Sequence, residues 1–208
     1  MTAAAANNHP AAAPAQRPRV GRPRDPGIDE RIRRAARNIY ATAGWAGLHF
    51  DGVAKAAQVS KDAVYRRYPN PQALLLESLA DQPVPQLRID GSIESSLTDY
   101  AIEILDFINT GEGYAHLRVH LDGNRYPELL REYQNRIIAP VIARGVAALE
   151  SARDAGHLRP DTDCRALITA LAGAMFIFTL SRSPVRGRAR RAAIGEIRTI
   201  VGQLLRGT

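Results

Sequence analysis

The stretch "VSKDAVYRRYPNP", residues 59–71, decides how this chain folds. Two tyrosines, two arginines and a lysine crowd onto one short segment. As a helix beginning at Ser60, with 100° per residue, it divides into two faces. Val64 and Tyr68, spaced i and i+4, face inward. Asp62, Ala63, Tyr65 and Arg66 face the other way, with Lys61 and Arg67 on the flanks. Such a polar, aromatic and cationic face suits a surface made to be touched, although a solvated helix with scattered charge has the same composition. Ser60 is a good N-cap, and Asp62 in the first turn complements the positive helix end. Asn70 then caps a further helix with Pro71 at its first position, where a missing N–H costs nothing.

Working toward the amino terminus, Phe50, Val53, Ala54 and Ala57 repeat with helical spacing and are separated from Ser60 by a tight break at Gln58-Val59. Earlier still, Ile28, Ile32, Ala35, Ala36, Ile39, Tyr40 and Ala43 form an apolar stripe, with Arg31, Arg34 and Arg37 away from it. Gly44 is a natural stop for that helix. Two short helices joined by a tight turn, with a cationic outward face on the second, make a helix-turn-helix.

The charge distribution agrees. Residues 1–70 carry 12 Lys and Arg against 5 Asp and Glu, whereas residues 71–208 carry 16 of each. A polyanion-binding end is therefore joined to a neutral body. Nucleic acid is the first candidate partner and an acidic membrane surface the competitor. Residues 1–27 lack apolar periodicity and read as a disordered basic arm. In its "RPRVGRPRDP", Arg17, Arg19, Arg22 and Arg24 lie along an extended strip that fits a DNA minor groove; a solubilising tail is the alternative. The single cysteine, Cys164, forms no internal disulfide and suits a reducing, cytoplasmic compartment as a small apolar filler. The longest uncharged run, between Arg165 and Arg182, is too short to span a bilayer, reads as a buried helix, and gives no reason to expect a membrane partner.

Residues 20–80 resemble the DNA-binding domain of the TetR family of transcriptional regulators. The resemblance rests on "GRPR", a first helix ending at Gly44, Leu48 before "FDGVAKAAQVSKDAVYRRYPNPQALL", the Val-Ser-Lys turn and the Tyr-x-x-Tyr of the third helix. It implies base reading by Lys61, Asp62, Ala63 and Arg66, phosphate or sugar contacts from Tyr65 and Arg67, and packing by Val64 and Tyr68. Arg22 and Arg24 of the arm join this DNA-binding set. Three positions depart from the family pattern. Gln58 replaces the usual turn glycine, at a cost of roughly 1–2 kcal/mol if it is left-handed, or with a reshaped turn. His49 replaces a capping threonine, and Pro71 replaces a lysine expected to touch phosphate.

Beyond Asp81, "QPVPQ" leads to helices expected near 92–110, 113–123, 126–153, 162–182 and 187–206. This body resembles, loosely, the family's ligand-binding and dimerisation half. The stretch "RALITALAGAMFIFTL" is apolar all round, and with the amphipathic "AAIGEIRTIVGQLL" it suggests a four-helix dimer interface. Ligand-binding candidates on the fifth to eighth helices are Tyr100, Ile104, Phe107, Tyr114, His116, Leu117, His120, Tyr133 and Phe176. Ile108, Leu121, Ile137, Phe178 and Arg118 stand behind them. His116 and His120 share a spacing that can grip a metal, but no third ligand is fixed by spacing, so neither a metal nor another cofactor is expected. No nucleophile–base pair, phosphate loop or carboxylate pair stands out, which argues against an enzyme.

The resulting expectation is an all-α protein with three parts: the arm (1–27), a helix-turn-helix DNA-binding domain (28–80), and a helical ligand-binding and dimerisation domain (81–208). It would act as a homodimeric regulator on a palindromic double-stranded operator, as a repressor released by a small, mostly apolar effector. A non-specific architectural DNA-binding protein is the alternative; a helical enzyme or carrier is the third reading.

Overall fold

The computed structural model describes residues 26–182 and 186–207. Among them the secondary structure is entirely helical. Helix α1 (Pro26–Gly47) buries Ile32, Ala35, Ala36 and Tyr40 along one stripe. It is interrupted at Gly44, whose φ of 66° and ψ of −164° break the helical path three residues before the end. Helix α2 (Phe50–Ala57) buries Phe50, Val53, Ala54 and Ala57. Its N-cap, His49, makes no side-chain cap. Gln58 follows in the left-handed conformation (φ 55°, ψ 47°), so the turn keeps its shape and the residue carries the strain.

Helix α3 (Lys61–Tyr65) is a turn and a half, capped by the Ser60 hydroxyl, which accepts from the Ala63 N–H at 3.2 Å. Helix α4 (Pro71–Ala80) starts from Asn70, whose side chain accepts from the Ala73 N–H at 2.8 Å. The body comprises α5 (Ile93–Ile108), α6 (Tyr114–Asp122), α7 (Pro127–Tyr133), α8 (Ala139–Asp154), α9 (Cys164–Leu180) and α10 (Gly187–Arg206).

One expected helix, 126–153, is divided: five residues of π-helix, Gln134–Ile138, join α7 to α8. Pro140 gives the physical reason. It has no N–H for the Arg136 carbonyl, and its ring crowds that carbonyl, so the preceding turn widens. The widened turn sits beside Tyr133 and Gln134, both of which face the cavity described below.

Two apolar cores organise the packing. The first gathers α1–α4 and takes in Ala115 and Val119 of α6, Leu129 and Tyr133 of α7, and Ile137. The second gathers Leu97, Ala101 and Leu105 of α5 with Leu149 of α8, Leu167, Ile168, Leu171 and Met175 of α9, and Ile197 and Val201 of α10. Cys164 is buried in this second core as a free thiol, and burial raises its pKa. Helix α9, apolar all round, is covered on only one side within the single chain. It buries Leu167, Ile168, Leu171, Met175 and Phe178, while Ile177 is 63% exposed and Leu180 also faces out.

Candidate DNA interface and ligand cavity

Helix α3 lies on α2, with the Tyr65 ring edge-on to Phe50 at 4.9 Å. Tyr65 remains 59% exposed. Lys61 and Asp62 are exposed beside it. Lys61 Nζ lies 2.5 Å from Asp51 Oδ2, and that hydrogen bond raises the lysine pKa. An ion pair so exposed holds loosely and can exchange its carboxylate for a phosphate. Arg66 closes α3, is exposed, and its side chain makes no ion pair or hydrogen bond among the described residues.

Two residues expected on this face are placed elsewhere. Ala63 is buried, because a five-residue helix seated against its neighbours turns an arc wide enough to take in both Ala63 and Val64. Arg67 folds back: Nε donates to Asp29 of α1, and Nη1 donates to the Ala63 carbonyl at 2.9 Å. It braces α3 against α1 instead of reaching outward. Arg22 and Arg24 lie outside the described residues.

The body contains a cavity of about 700 Å³. Tyr100, Ile104 and Phe107 of α5 form one wall; His116, Leu117 and His120 of α6 form a second; Tyr133 and Phe176 contribute from α7 and α9. Ile108 and Leu121 also line it. Tyr114 does not. It opens α6 and packs partly buried against the first core. Ile137 and Phe178 belong to the two cores, and the Arg182 guanidinium covers the Phe178 ring at 3.8 Å. Arg118 points to the other side of α6, where Nη1 donates to the carbonyls of Ala41 at 3.1 Å and Thr42 at 3.3 Å.

Polar groups at the cavity form a short relay. Tyr133 Oη lies 3.2 Å from His116 Nδ1, and His116 Nε2 lies 3.2 Å from Gln82 Oε1, just beyond α4. The Gln82 oxygen accepts, so His116 carries its proton on Nε2 and receives the Tyr133 hydroxyl on Nδ1. Burial, with help from the charges of Arg37 and His120, pushes the His116 pKa down to about 3. Burial likewise lowers the pKa of His120 and raises that of Tyr133. With both ring nitrogens of His116 engaged, the histidine pair is built as a hydrogen-bonding unit. Among the described residues no group of three or more His, Cys, Asp or Glu is arranged to hold a metal.

Several contributors were missed from the sequence. Gln134, Ile138, Val141 and Ile142 line the cavity, as do Val84 and Pro85 of the linker. The helical spacing of Ile138, Val141 and Ile142 was the available signal. Arg37, expected on a polar face, is 3% exposed. Its Nε donates to Glu112 at 2.7 Å and its Nη1 to the Ser78 carbonyl at 2.9 Å, tying α1 to the end of α4 and to the segment before α6. Tyr40 Oη donates to Asp122 Oδ2 at 3.0 Å, a second tie between α1 and α6.

Residues 32–78 match the family described as bacterial regulatory proteins, tetR family, and residues 90–198 match the tetracyclin repressor-like C-terminal domain. The HTH-type transcriptional regulator YdeS of Bacillus subtilis is 27% identical over 158 residues, which cover 75% of this chain and 80% of YdeS. Salmonella enterica GusR has the same fold with a TM-score of 0.69 at 21% identity, over 86% of this chain and 95% of that one. FadR from Bacillus subtilis, solved in complex with stearoyl-CoA, gives a TM-score of 0.66 at 15% identity, over 86% and 98%. Among the described residues no helix is long and apolar enough to cross a membrane. An all-helical chain with a helix-turn-helix at one end, and family matches across most of its length, belongs to the TetR family of transcriptional regulators, which bind DNA and are not enzymes.

Proposed function

We propose that the protein is a homodimeric repressor that binds a palindromic operator through α3 and is released when a small, mostly apolar effector fills the body's cavity. The observation that carries this reading is the position of α6. Its His116, Leu117 and His120 line the cavity, while its Arg118 and Asp122 hold α1 of the DNA-binding half. An effector that moves α6 therefore moves the element on which α2 and α3 rest. In this reading residues 28–80 bind DNA and 81–208 bind effector and partner subunit, with Arg22 and Arg24 of the 1–27 arm lying in the DNA minor groove. Lys61, Asp62, Tyr65 and Arg66 contact the operator, and the open face of α9 around Ile177 packs against a second copy. FadR, solved in complex with stearoyl-CoA, shows that a protein of this fold can bind a molecule with a long apolar chain.

The test is selection of DNA fragments by the purified protein, followed by titration of bound operator with candidate effectors. A two-fold symmetric site, with half-sites about one helical turn apart, supports the dimer. Recovery of a single asymmetric half-site occupied by a monomer refutes it. Equal binding to scrambled DNA in competition would favour a non-specific architectural role.

A further inference from the structure

The cavity lining contains no Asp, Glu, Lys or Arg. Leu121 and Ile177 are exposed and form the mouth of the cavity; a charged group placed further in, among Tyr100, His116 and Tyr133, would lose its water and meet no opposite charge, a cost that no lining residue offsets. The two histidines provide no hidden cation, because burial keeps both neutral. Of the two histidines, His116 is closed between Tyr133 and Gln82. His120 is different. Its Nδ1 lies 3.3 Å from Gln134 Nε2, an amide nitrogen that can only donate. Nδ1 therefore accepts, and the proton of the neutral ring sits on Nε2. That N–H has no hydrogen-bond partner among the described residues and is not sealed inside the core, and the ring that carries it lines the cavity. Two aromatic rings hold the imidazole edge-on, Tyr133 at 5.5 Å and Phe176 at 5.4 Å.

We propose that the cavity selects an uncharged aromatic or aliphatic carbonyl compound, a ketone or ester, whose oxygen accepts a hydrogen bond from His120 Nε2. This rests on the reading of the cavity as an effector site and specifies its ligand. The apolar walls take the body of the molecule, and His120 sets which end enters. Carboxylates and amines of the same size are disfavoured by desolvation wherever their charge enters past the mouth, and hydrocarbons of the same size bind without the anchor.

The experiment uses the full-length protein without DNA and four probes of matched shape at neutral pH: valerophenone, pentylbenzene, phenylvalerate and phenylpentylammonium. Calorimetry should give binding in the order ketone, then hydrocarbon, with the two ions weaker than either. The ketone should lead the hydrocarbon by roughly three- to tenfold, the ratio of one net hydrogen bond. His120→Phe keeps a ring between Tyr133 and Phe176 and should erase that ratio while leaving pentylbenzene binding in place. Gln134→Leu leaves the imidazole but frees its tautomer, and should shrink the ratio without abolishing ketone binding. Thermal unfolding of each variant checks that the fold is retained. The proposal is overturned if either ion binds as tightly as the ketone, if neither neutral probe binds, or if the ratio survives in His120→Phe. Where the ketone binds selectively, a second titration with operator present separates the two readings: unchanged operator affinity sinks the regulatory reading and leaves this one standing.

Discussion

Replacing Arg37 with methionine keeps an unbranched side chain of similar reach inside the first core and removes only the guanidinium. The Ser78 carbonyl is among the last four of α4, which no residue further along the helix is placed to satisfy. The neighbouring donors go elsewhere, Asp81 N–H to Glu77 and Gln82 N–H to Leu79. Arg37 Nη1 is its partner, and Ser78 is fully buried. Leaving that carbonyl unpaired costs about 1–3 kcal/mol. The ion pair with Glu112 is close, with Nη2 at 2.6 Å, but the Glu112 side chain is 28% exposed, so solvent screens it and about 1 kcal/mol is a fair share. A loss of about 2–4 kcal/mol follows. For a chain of this size that lowers the melting temperature by roughly 5–15 °C. Urea unfolding followed by circular dichroism measures the difference, and the pair Arg37→Met and Glu112→Gln, taken singly and together, isolates the ionic part. Arg37→Lys should fall between wild type and Arg37→Met, since an ammonium cannot serve both partners with the same fork. If Arg37→Met unfolds within about 0.5 kcal/mol of wild type, the bridge joining α1, α4 and the approach to α6 is not what holds them.

Acid should weaken the fold earlier than the carboxylates alone would. His116 is held at about 3 in the folded state, so below the ordinary histidine value of about 6.5 only the unfolded chain takes up that proton. Stability is then complete above about pH 6.5 and falls as pH drops toward 3, by at most about 1.4 kcal/mol per unit. Chemical denaturation at pH 7, 6 and 5 should show a slope that His116→Gln reduces; an unchanged slope would contradict it. A Cβ at Gly113 would lie 1.9 Å from the Phe107 carbonyl oxygen, so Gly113→Ala must push α5 and α6 apart. It should cost about 1–3 kcal/mol and alter ligand affinity, because Phe107 lines the cavity, both read by melting with and without a bound probe. On DNA, Arg66→Ala should cost about 1–3 kcal/mol on the selected site and relax base preference, whereas deleting residues 1–24 should weaken all sequences and flatten the salt dependence. Equal losses on selected and scrambled DNA would remove Arg66 from base reading.

Helix positions were legible because caps and apolar stripes are local signals. Ser60 and Asn70 each accept a backbone N–H at the start of a helix. The site was legible to the extent that helical periodicity brings apolar positions to one face. It failed where a side chain answers to a distant residue. Arg67 looks like a phosphate contact until Asp29, 38 residues earlier, is found to claim it. Arg37 looks solvated until Glu112, 75 residues later, covers it. Tyr114 has the right residue type, but the register of α6 turns its ring toward the first core. The five residues of α3 are too few for a periodicity argument to separate a buried Ala63 from an outward one.

The same long-range contacts bound what an effector can do. A ligand shifts DNA affinity only by the difference in its own affinity for two arrangements of the protein. A hundredfold release requires about 2.7 kcal/mol of coupling. The hydrogen bonds across the α1–α6 seam that could transmit it are few. Arg118 donates to Ala41 and Thr42, and Tyr40 donates to Asp122. At about 0.5–1.5 kcal/mol each, somewhat more where Asp122 carries charge, two or three of them must change together to supply the coupling. Gly44 makes a joint change feasible. Its positive φ already breaks α1 beside these carbonyls, and the space a Cβ would take is filled by the Arg118 guanidinium, with Nη2 only 2.5 Å away. The seam is thus two helices meeting at one break, spanned by one arginine, Arg118, and by the Tyr40–Asp122 pair. A ligand that displaces α6 from the cavity side loads that arginine first. Coupling should therefore be sensitive to Arg118 and Gly44 well beyond their share of stability.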